Sequence, residues 1–493
     1  MTSAPAARRI LALSLTAIVV LGAPAFLAGF LNDMDHYTLT ADKLLRGGAL
    51  YRDTIDTKPP LIFFHYALVF RVFGQNNVVA VKCVTLVVLA LTALLVASIR
   101  RALAPAAPRP EVAALVYVLA SFSGLAEDFL SSNSEIQANL PIVAGVACMV
   151  RAGLAYRPRR LVLAGALIGV AFLYRYQSGA ALAAYAVTAV AYRRELGHLG
   201  GRLACVALGF LVPVAAIVGY FAAMGALGDL AFLIRFQGYY LRAHETYWPE
   251  ALAQVGSVVA GLGPVLVLGA GHAVALVRRR PTPGQAFLVA WLAVSLATCF
   301  LGGRYFAHYA IEAILPVALL VADRLASPPH TAHERRALAI LAAVAVAFCG
   351  INATTLAARR DDRPPADVVR FVRAHTTRDE AILMWTPRKD VLLAADRVYA
   401  TRFLFNDLLV GRVFGTRHRL ASATAESARA AAVPELWPVF LRELDSARPR
   451  LVVDDVPARS RFTLDRYPAL RAYVDRDYEP CVTVADYCIY VRK

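Results

Sequence analysis

The sequence predicts an α-helical polytopic membrane protein of about 11 spans, followed by a small soluble α/β domain. Three observations carry this. Of 493 residues, 58% are hydrophobic and only 18% charged, with a mean hydropathy of +0.54, whereas a soluble globular chain usually has about a quarter charged residues. Apolar runs close to the ~20 residues a helix needs to cross the hydrocarbon core recur through most of the chain. Beyond residue 358 they stop, and short strand-like and helix-like stretches alternate instead.

The apolar runs lie near 10–31, 77–99, 112–129, 137–154, 161–175, 179–192, 203–224, 256–277, 286–302, 309–325 and 337–357. The first follows Arg8-Arg9 and is too long and too uniformly apolar for the h-region of a signal peptide, so it reads as a span that stays attached. The pair 161–175 and 179–192 is short. It reads either as two tilted helices meeting at a break or as one re-entrant element.

The net charge of +17 would point to nucleic acid on a soluble protein. Here the basic residues sit in short clusters between apolar runs: Arg8-Arg9, Arg100-Arg101, Arg157 to Arg160, Arg193-Arg194, Arg278 to Arg280 and Arg335-Arg336. With alternating spans these fall on one side, the cytoplasmic side by the positive-inside rule. Nucleic acid is set aside as a partner. The other face, taken as the periplasmic one, receives loops 32–76, 130–136, 176–178, 225–255 and 303–308, together with the tail. Loops 32–76 and 225–255 are long and chemically varied, and such loops carry function more often than short connectors do.

Cys83, Cys148, Cys205, Cys299 and Cys349 lie in apolar runs and read as small packing residues. The polar break Arg359-Arg360-Asp361-Asp362-Arg363-Pro364-Pro365 opens the tail, dividing the chain at 1–358 and 359–493. In the tail, Ala366 to His375 and Leu436 to Leu444 read as helices, Glu380 to Trp385 and Arg450 to Val453 as strands. Val482-Thr483-Val484 and Ile489-Tyr490-Val491 form a terminal hairpin around Ala485-Asp486. This is a small α/β domain, long enough for its own core. Cys481 and Cys488 flank the hairpin. An oxidising compartment favours a disulfide, but a tight turn sets the two diagonally, which argues against one.

Loop 32–76 is the richest stretch. Tyr37, Ala41, Leu44 and Leu45 fall on one helical face, and Gly47-Gly48 stand where such a helix stops. This is a short interfacial helix with Asp33 and Asp35 at its start. Leu61 to Phe73 is apolar but too short to span, and reads as a second interfacial helix with Pro60 in its first turn. Lys58 is held at its entrance by two prolines. Taken singly, Asp33 is explained as a helix cap and Lys58 as a lysine reaching headgroups. Together they make a site at membrane depth, able to hold a lipid tail in the bilayer and a phosphate at its surface.

The order Asp33, Tyr37, Ala41, Gly47-Gly48, Tyr51-Arg52-Asp53 and Lys58-Pro59-Pro60-Leu61 resembles the lipid-phosphate-sugar-dependent glycosyltransferases of family 39 and their bacterial relatives, which share the GT-C fold. These include protein O-mannosyltransferases, the aminoarabinose transferase acting on lipid A, and the rhizobial galacturonosyltransferases. Asn133-Ser134-Glu135, the segment Gly165 to Tyr176 with Arg175, and Gly303-Arg304-Tyr305-Phe306-Ala307-His308-Tyr309 before Leu315-Pro316 continue the likeness. So do Trp437, Pro449, Tyr467-Pro468 and Tyr478-Glu479-Pro480. One departure stands out. Relatives often read Asp-Glu in the first loop, whereas Met34 follows Asp33 here and Asp35 comes one position later.

The resemblance implies transfer of a sugar from a polyprenyl-phosphate carrier to a cell-envelope acceptor, with inversion at the anomeric carbon. Asp33 is then expected as the base, with Asp35 as alternate or helper. Lys58, Arg304, Arg175 and His308 are the candidates for holding the donor phosphate, with pairing to a loop carboxylate the other reading of Arg175 and a satisfied buried imidazole that of His308. Tyr37, Tyr51, Asn133, Glu135 and Tyr309 are candidates for sugar or acceptor, with capping the other reading of Asn133 and Glu135. The aromatic and basic stretch Arg235 to Tyr240, with Arg242, His244, Tyr247 and Trp248, reads as a sugar or headgroup surface, or as an aromatic belt. Asp33 and Asp35 have the chemistry to share a divalent cation with a phosphate, but the resemblance argues against a requirement, and no metal or cofactor is assigned. The expected partners are the lipid-linked donor, membrane lipids and an envelope acceptor. The alanine- and arginine-rich composition points to a bacterial inner membrane. The rival reading, a secondary transporter or lipid flippase, calls for paired repeats of broken helices, and no such repeat is visible.

Overall fold

A computed structural model of the chain describes residues 4–106, 108–151, 154–242, 248–300, 305–326, 332–359, 364–386, 388–404, 406–410, 432–456 and 463–493. The first region is helical throughout. Its helices are α1 (Ala4–Gly22), α2 (Met34–Leu45), α3 (Leu61–Phe73), α4 (Val78–Leu103), α5 (Val112–Ser121), α6 (Ala126–Phe129), α7 (Ser134–Val150) and α8 (Pro158–Phe172). There follow α9 (Ala180–Ala191), α10 (Arg193–Leu196), α11 (Leu199–Ala223), α12 (Leu227–Arg242), α13 (Trp248–Arg278), α14 (Pro283–Phe300), α15 (Ile314–Ala326) and α16 (Ala332–Ala358).

Among the described residues, six helical segments are long and apolar enough to cross a membrane: Pro5–Leu27, Val78–Leu103, Leu199–Ala223, Trp248–Arg278, Pro283–Phe300 and Arg336–Ala358. Leucines and valines on α11 and α13, such as Leu208, Leu211, Val259 and Val267, stand exposed. That is the surface a bilayer would cover. The short pair is two helices, α8 and α9, meeting at a break that contains a 3-10 turn at Tyr176–Gly179.

Two expectations are corrected. Run 112–129 is not one helix: α5 stops at Ser121, and α6 forms after Gly124. A Cβ on Gly124 would lie 2.2 Å from the Phe129 ring, so the chain turns there at a contact only glycine allows. The stretch 225–255 is not a loop. Gly225 turns the chain with φ +63, and α12 occupies most of it, burying Leu233 on its inner face. His244 and Tyr247 lie outside the described residues, and the side chains of 236–242 are likewise not described.

Small residues set the closest helix contact. α8 and α11 approach until a Cβ on Gly165 would stand 2.1 Å from the Val206 carbonyl oxygen, and one on Gly209 would stand 1.9 Å from that of Val162. Such approach is what drives association where lipid removes the hydrophobic advantage of packing. Lys82, near the start of α4, is buried. It donates to the carbonyls of Ala25, Ala28 and Gly29 at 2.8, 2.6 and 2.8 Å, tying down the chain just after α1. These carbonyls lack helical donors, and the ammonium satisfies them.

The tail forms the α/β unit expected. Its strands are β1 (Ala381–Trp385), β2 (Val398–Tyr399), β3 (Leu451–Asp455), β4 (Val482–Val484) and β5 (Tyr487–Val491), in the order β2-β1-β3-β5-β4. β1 pairs in parallel with β2 and β3, while β5 runs antiparallel to β3 and β4. β3 is buried throughout, as a central strand covered on both faces must be. The helices are α17 (Ala366–His375), α18 (Asp390–Ala395), α19 (Asp407–Val410), α20 (Trp437–Ala447) and α21 (Pro468–Asp477). Trp437 stacks on Tyr467, with centroids 5.5 Å apart, and the Tyr478 hydroxyl donates to the Pro449 carbonyl at 2.6 Å. Of the tail residues that carried the family likeness, Pro449 and Tyr478 are buried and Trp437 and Tyr467 pack against the core, while Pro468, Glu479 and Pro480 are exposed. Cys481 and Cys488 are bonded. The register Thr483↔Cys488 does set them diagonally, but their Cα atoms are 5.4 Å apart, inside the roughly 4.4–6.8 Å that a disulfide accepts.

This unit is docked on loop 32–76. Leu39 of α2 and Ile55 are part of its hydrophobic core. Lys43 Nζ donates to the carbonyls of Tyr399 and Thr401, each at 3.3 Å. Arg46 bridges Asp42 of α2 and Asp396, at 2.8 and 2.5 Å, and Ile55 N donates to the Arg402 carbonyl at 2.8 Å.

Candidate active site

Asp33 stands at the N-cap position of α2, yet its carboxylate makes no capping bond. It lies 3.2 Å from Lys58 Nζ and accepts the Tyr37 hydroxyl at 3.3 Å. The capping explanation therefore fails for Asp33. Tyr37 is fully buried one helical turn on, edge-on to Phe63 and Tyr66.

The backbone of Lys58 is fixed on both sides. Its N–H donates to Asp56 Oδ1 at 2.9 Å, and its carbonyl accepts the Tyr51 hydroxyl at 2.8 Å. Tyr51, itself at φ +65, stacks on Phe221 with centroids 5.5 Å apart. Past the two prolines, Leu61 N donates to the Leu173 carbonyl at 3.0 Å, which joins the entrance of α3 to the end of α8. Tyr51 thus holds the lysine in place. Its hydroxyl is spent on that bond.

On the far side of Lys58 are residues from three later segments. Asp33 and Glu135 supply the negative charge at Lys58, and the side chains of Tyr37 and Tyr309 stand near it. Glu135, buried in the first turn of α7, lies 3.6 Å from Arg175 Nε. Arg175, just past α8, lies over the Tyr309 ring at 5.0 Å. His308 joins buried Asp128 at 2.7 Å through Nδ1 and stacks on Phe306. Asn133 has taken the capping role: its Oδ1 accepts Ile136 N at 3.1 Å, and its amide donates to the Asp128 carbonyl at 3.1 Å.

Seven of the expected residues therefore gather, Asp33, Tyr37, Lys58, Glu135, Arg175, His308 and Tyr309, while Tyr51 and Asn133 brace the backbone beneath them. Arg304 lies outside the described residues. Charge alternates along the row Asp33, Lys58, Glu135, Arg175. Asp128, Asp56 and Glu312 were not anticipated. Asp128 and Glu312 sat within or beside apolar runs, where an ionisable residue is itself a signal of function.

The two loop carboxylates differ in character. Burial pushes the Asp33 carboxyl up, but Lys58, with His36 and His308, outweighs it and holds the group at about 2. Burial pushes Asp35 up to about 7, against a hydrogen bond from the His36 N–H and with the charges of Asp33 and Asp390. Burial likewise pushes Asp56 up to about 6 and His36 down to about 3. Asp33 is thus ionised and paired, and Asp35 is half-protonated near neutrality.

Two crystal structures of ArnT from Cupriavidus metallidurans, one bound to undecaprenyl phosphate and one in the apo state, match nearly the whole chain. Their TM-scores are 0.62 and 0.61 at 14% and 15% identity, covering 99% and 98% of this chain and 98% of each of theirs. This is the GT-C fold. Archaeal oligosaccharyltransferase AglB from Archaeoglobus fulgidus, in complex with an inhibitory peptide and a dolichol-phosphate, matches at TM-score 0.53 and 12% identity. That match covers 99% of this chain and 74% of the archaeal one. The family model described as dolichyl-phosphate-mannose-protein mannosyltransferase matches residues 57–221. That stretch holds Lys58, Asp128, Glu135 and Arg175; Asp33 and His308 fall outside it. No curated protein sequence matches.

Proposed function

We propose that this chain is a membrane glycosyltransferase that moves a sugar from a polyprenyl-phosphate carrier to a hydroxyl of a cell-envelope acceptor. The reaction takes place on the outer, periplasmic face of a bacterial inner membrane, with the N-terminus cytoplasmic. The observation that carries the reading is the Asp33–Lys58 pair, a base candidate and a phosphate-binding cation 3.2 Å apart beside apolar helices. The match to ArnT, crystallised with undecaprenyl phosphate, supports a carrier of that class.

In the reaction, Asp33 takes the proton of the acceptor hydroxyl. The freed oxygen forms a bond to the anomeric carbon while the bond from that carbon to the phosphate oxygen breaks. The carrier phosphate leaves with the electron pair, its charge met by Lys58 and Arg175. A single displacement inverts the anomeric carbon. Phosphate is a good leaving group, so no general acid is needed, unlike hydrolysis by paired carboxylates.

The pairing also orders the steps. While Lys58 holds it near 2, Asp33 is a weak base. A donor phosphate competes for Lys58, and its arrival returns Asp33 toward ordinary carboxylate basicity. Base strength is thereby tied to donor binding. The test is to incubate purified protein in nanodiscs with a panel of polyprenyl-phosphate sugars and envelope extract, following free polyprenyl phosphate. Release with one sugar is expected. No release with any donor would sink the reading and favour a lipid transporter.

A further inference from the structure

Behind Arg175, deeper in the bundle, lies a group of polar side chains that the chemistry above does not use. Glu312, between the 3-10 turn Ala307–Ile311 and α15, is 2% exposed, and neither of its oxygens accepts a hydrogen bond among the described residues. The Trp291 indole N–H faces it, just outside hydrogen-bonding geometry, and Arg175 is the charge acting on it. Trp291 and Ser295 stand one turn apart on α14, both buried, and neither Trp291 Nε1 nor Ser295 Oγ makes a hydrogen bond. Arg175 is itself 4% exposed at its side chain, with Nε and Nη2 unbonded.

Buried polar atoms are nearly always hydrogen-bonded, and a buried charge left without such bonds is costly. Here unbonded donors and acceptors collect on three residues beside one arginine, with Trp291 against Glu312 and Ser295 one helical turn from Trp291, inside an apolar bundle. They are continuous with the site, because Arg175 faces Glu135 at 3.6 Å and lies over Tyr309. The mixture is specific. A carboxylate accepts O–H groups, an indole N–H donates to oxygen, a serine does both, and a guanidinium donates without needing a full anion. A long apolar tail would satisfy none of them, and a second phosphate would be repelled by Glu312. A ring bearing several hydroxyls would satisfy all four.

We propose that Glu312, Trp291 and Ser295, with Arg175 at their rim, form the subsite that receives the hydroxyl groups of the donor's sugar. The sugar then lies on the Arg175 side of Lys58, with its hydroxyls toward Glu312. This rests on the donor reading above and adds where its sugar lies.

The experiment compares two ligands on full-length protein in nanodiscs: sugar-free polyprenyl phosphate and the polyprenyl-phosphate sugar that the wild type turns over. Dissociation constants are measured for wild type, Glu312→Gln, Trp291→Phe and Ser295→Ala. Glu312→Gln is expected to weaken binding of the sugar-loaded donor tenfold or more and to change the sugar-free carrier less than twofold. Trp291→Phe and Ser295→Ala follow in the same direction with smaller effects, and they decide the matter if Glu312→Gln fails to assemble. Equal weakening of both ligands would overturn the proposal and leave Glu312 as a support for Arg175. No change in either would also overturn it. Failure of wild type to bind the sugar-free carrier would overturn the donor reading, and this one with it.

Discussion

Lys58 Nζ and Asp33 Oδ2 stand 3.2 Å apart at the N-terminus of α2, with side chains 24% and 36% exposed. Partly exposed pairs of this kind contribute on the order of 1 kcal/mol or less to stability. A pair this weak is not there to hold the fold. Lys58→Met is therefore expected to leave thermal stability nearly unchanged while raising the donor KM at least about tenfold, the scale of a charge-assisted phosphate contact. Thermal melting and donor titration on the same preparation check both halves.

The acidities separate Asp33 from Asp35 as the base. Asp33, held near 2, stays ionised in the free protein through the acid range, so the stability it lends is fully present above about pH 4 and is lost as pH falls toward 2. Asp35, raised to about 7, keeps a proton in the folded state that the unfolded chain has released, so its contribution falls as pH rises from about 4 to 7. With Asp33 as base, kcat/KM is expected to stay flat from about pH 5 to 7. A tenfold loss per pH unit below 7, absent in Asp35→Asn, would assign the base to Asp35.

The soluble domain positions α2. Lys43 and Arg46 tie the C-terminal half of that helix to Tyr399, Thr401 and Asp396, while Asp33 sits at its start. Lys43→Met and Arg46→Ala are expected to lower kcat about 10- to 100-fold, since small misplacement of a reacting group costs this much. Donor affinity stays within about twofold, because Lys58 is pinned independently through Tyr51 and Asp56. Steady-state kinetics beside equilibrium donor binding give the readout; parallel loss of both would mean general unfolding.

Helix packing offers a control pair. An added Cβ at Gly209 meets the Val162 carbonyl at 1.9 Å, whereas one at Gly219 on the same helix meets nothing within 4 Å. Gly209→Ala is expected to destabilise the protein by about 1–3 kcal/mol through overpacking. Gly219→Ala is expected to be neutral or slightly stabilising, since alanine favours the helix. Melting temperatures of the two variants in one detergent distinguish them.

Cys481 and Cys488 close a short loop with sequence separation 7. On the chain-entropy account, removing the bond by Cys481→Ser costs the soluble domain about 2–3 kcal/mol. Thiol alkylation before and after reduction, read by intact mass, reports whether both cysteines are protected in protein taken from the envelope.

Much of this architecture is visible in the residues themselves. The two short helices of loop 32–76 follow from apolar spacing bounded by glycine and proline, and α2 and α3 form at those positions. The hairpin and both central strands of the tail follow from alternation and apolar runs. What escaped has particular causes. β2, of two residues, carries no pattern of its own and exists only by pairing with β1. α12 hid because its aromatic and basic residues look like a loop when read singly, although the chain is helical from Leu227 to Arg242 and buries Leu233. Asp128 gave no local sign of its bond to His308, which is 180 residues away. The docking of the tail on α2 rests partly on backbone carbonyls of Tyr399 and Thr401, groups every residue has, and partly on side chains such as Arg46 and Asp396 that stand 350 residues apart, so no local pattern announces it.

The central claim is that the Asp33–Lys58 site cleaves the bond between a sugar and a polyprenyl phosphate. Wild type and Asp33→Asn, run side by side in nanodiscs with the same donor and acceptor extract, test it through release of free polyprenyl phosphate. The account predicts release by wild type and a loss of at least about a hundredfold in Asp33→Asn, the low end for removing a general base, with donor binding retained. Equal release by the two proteins would contradict it.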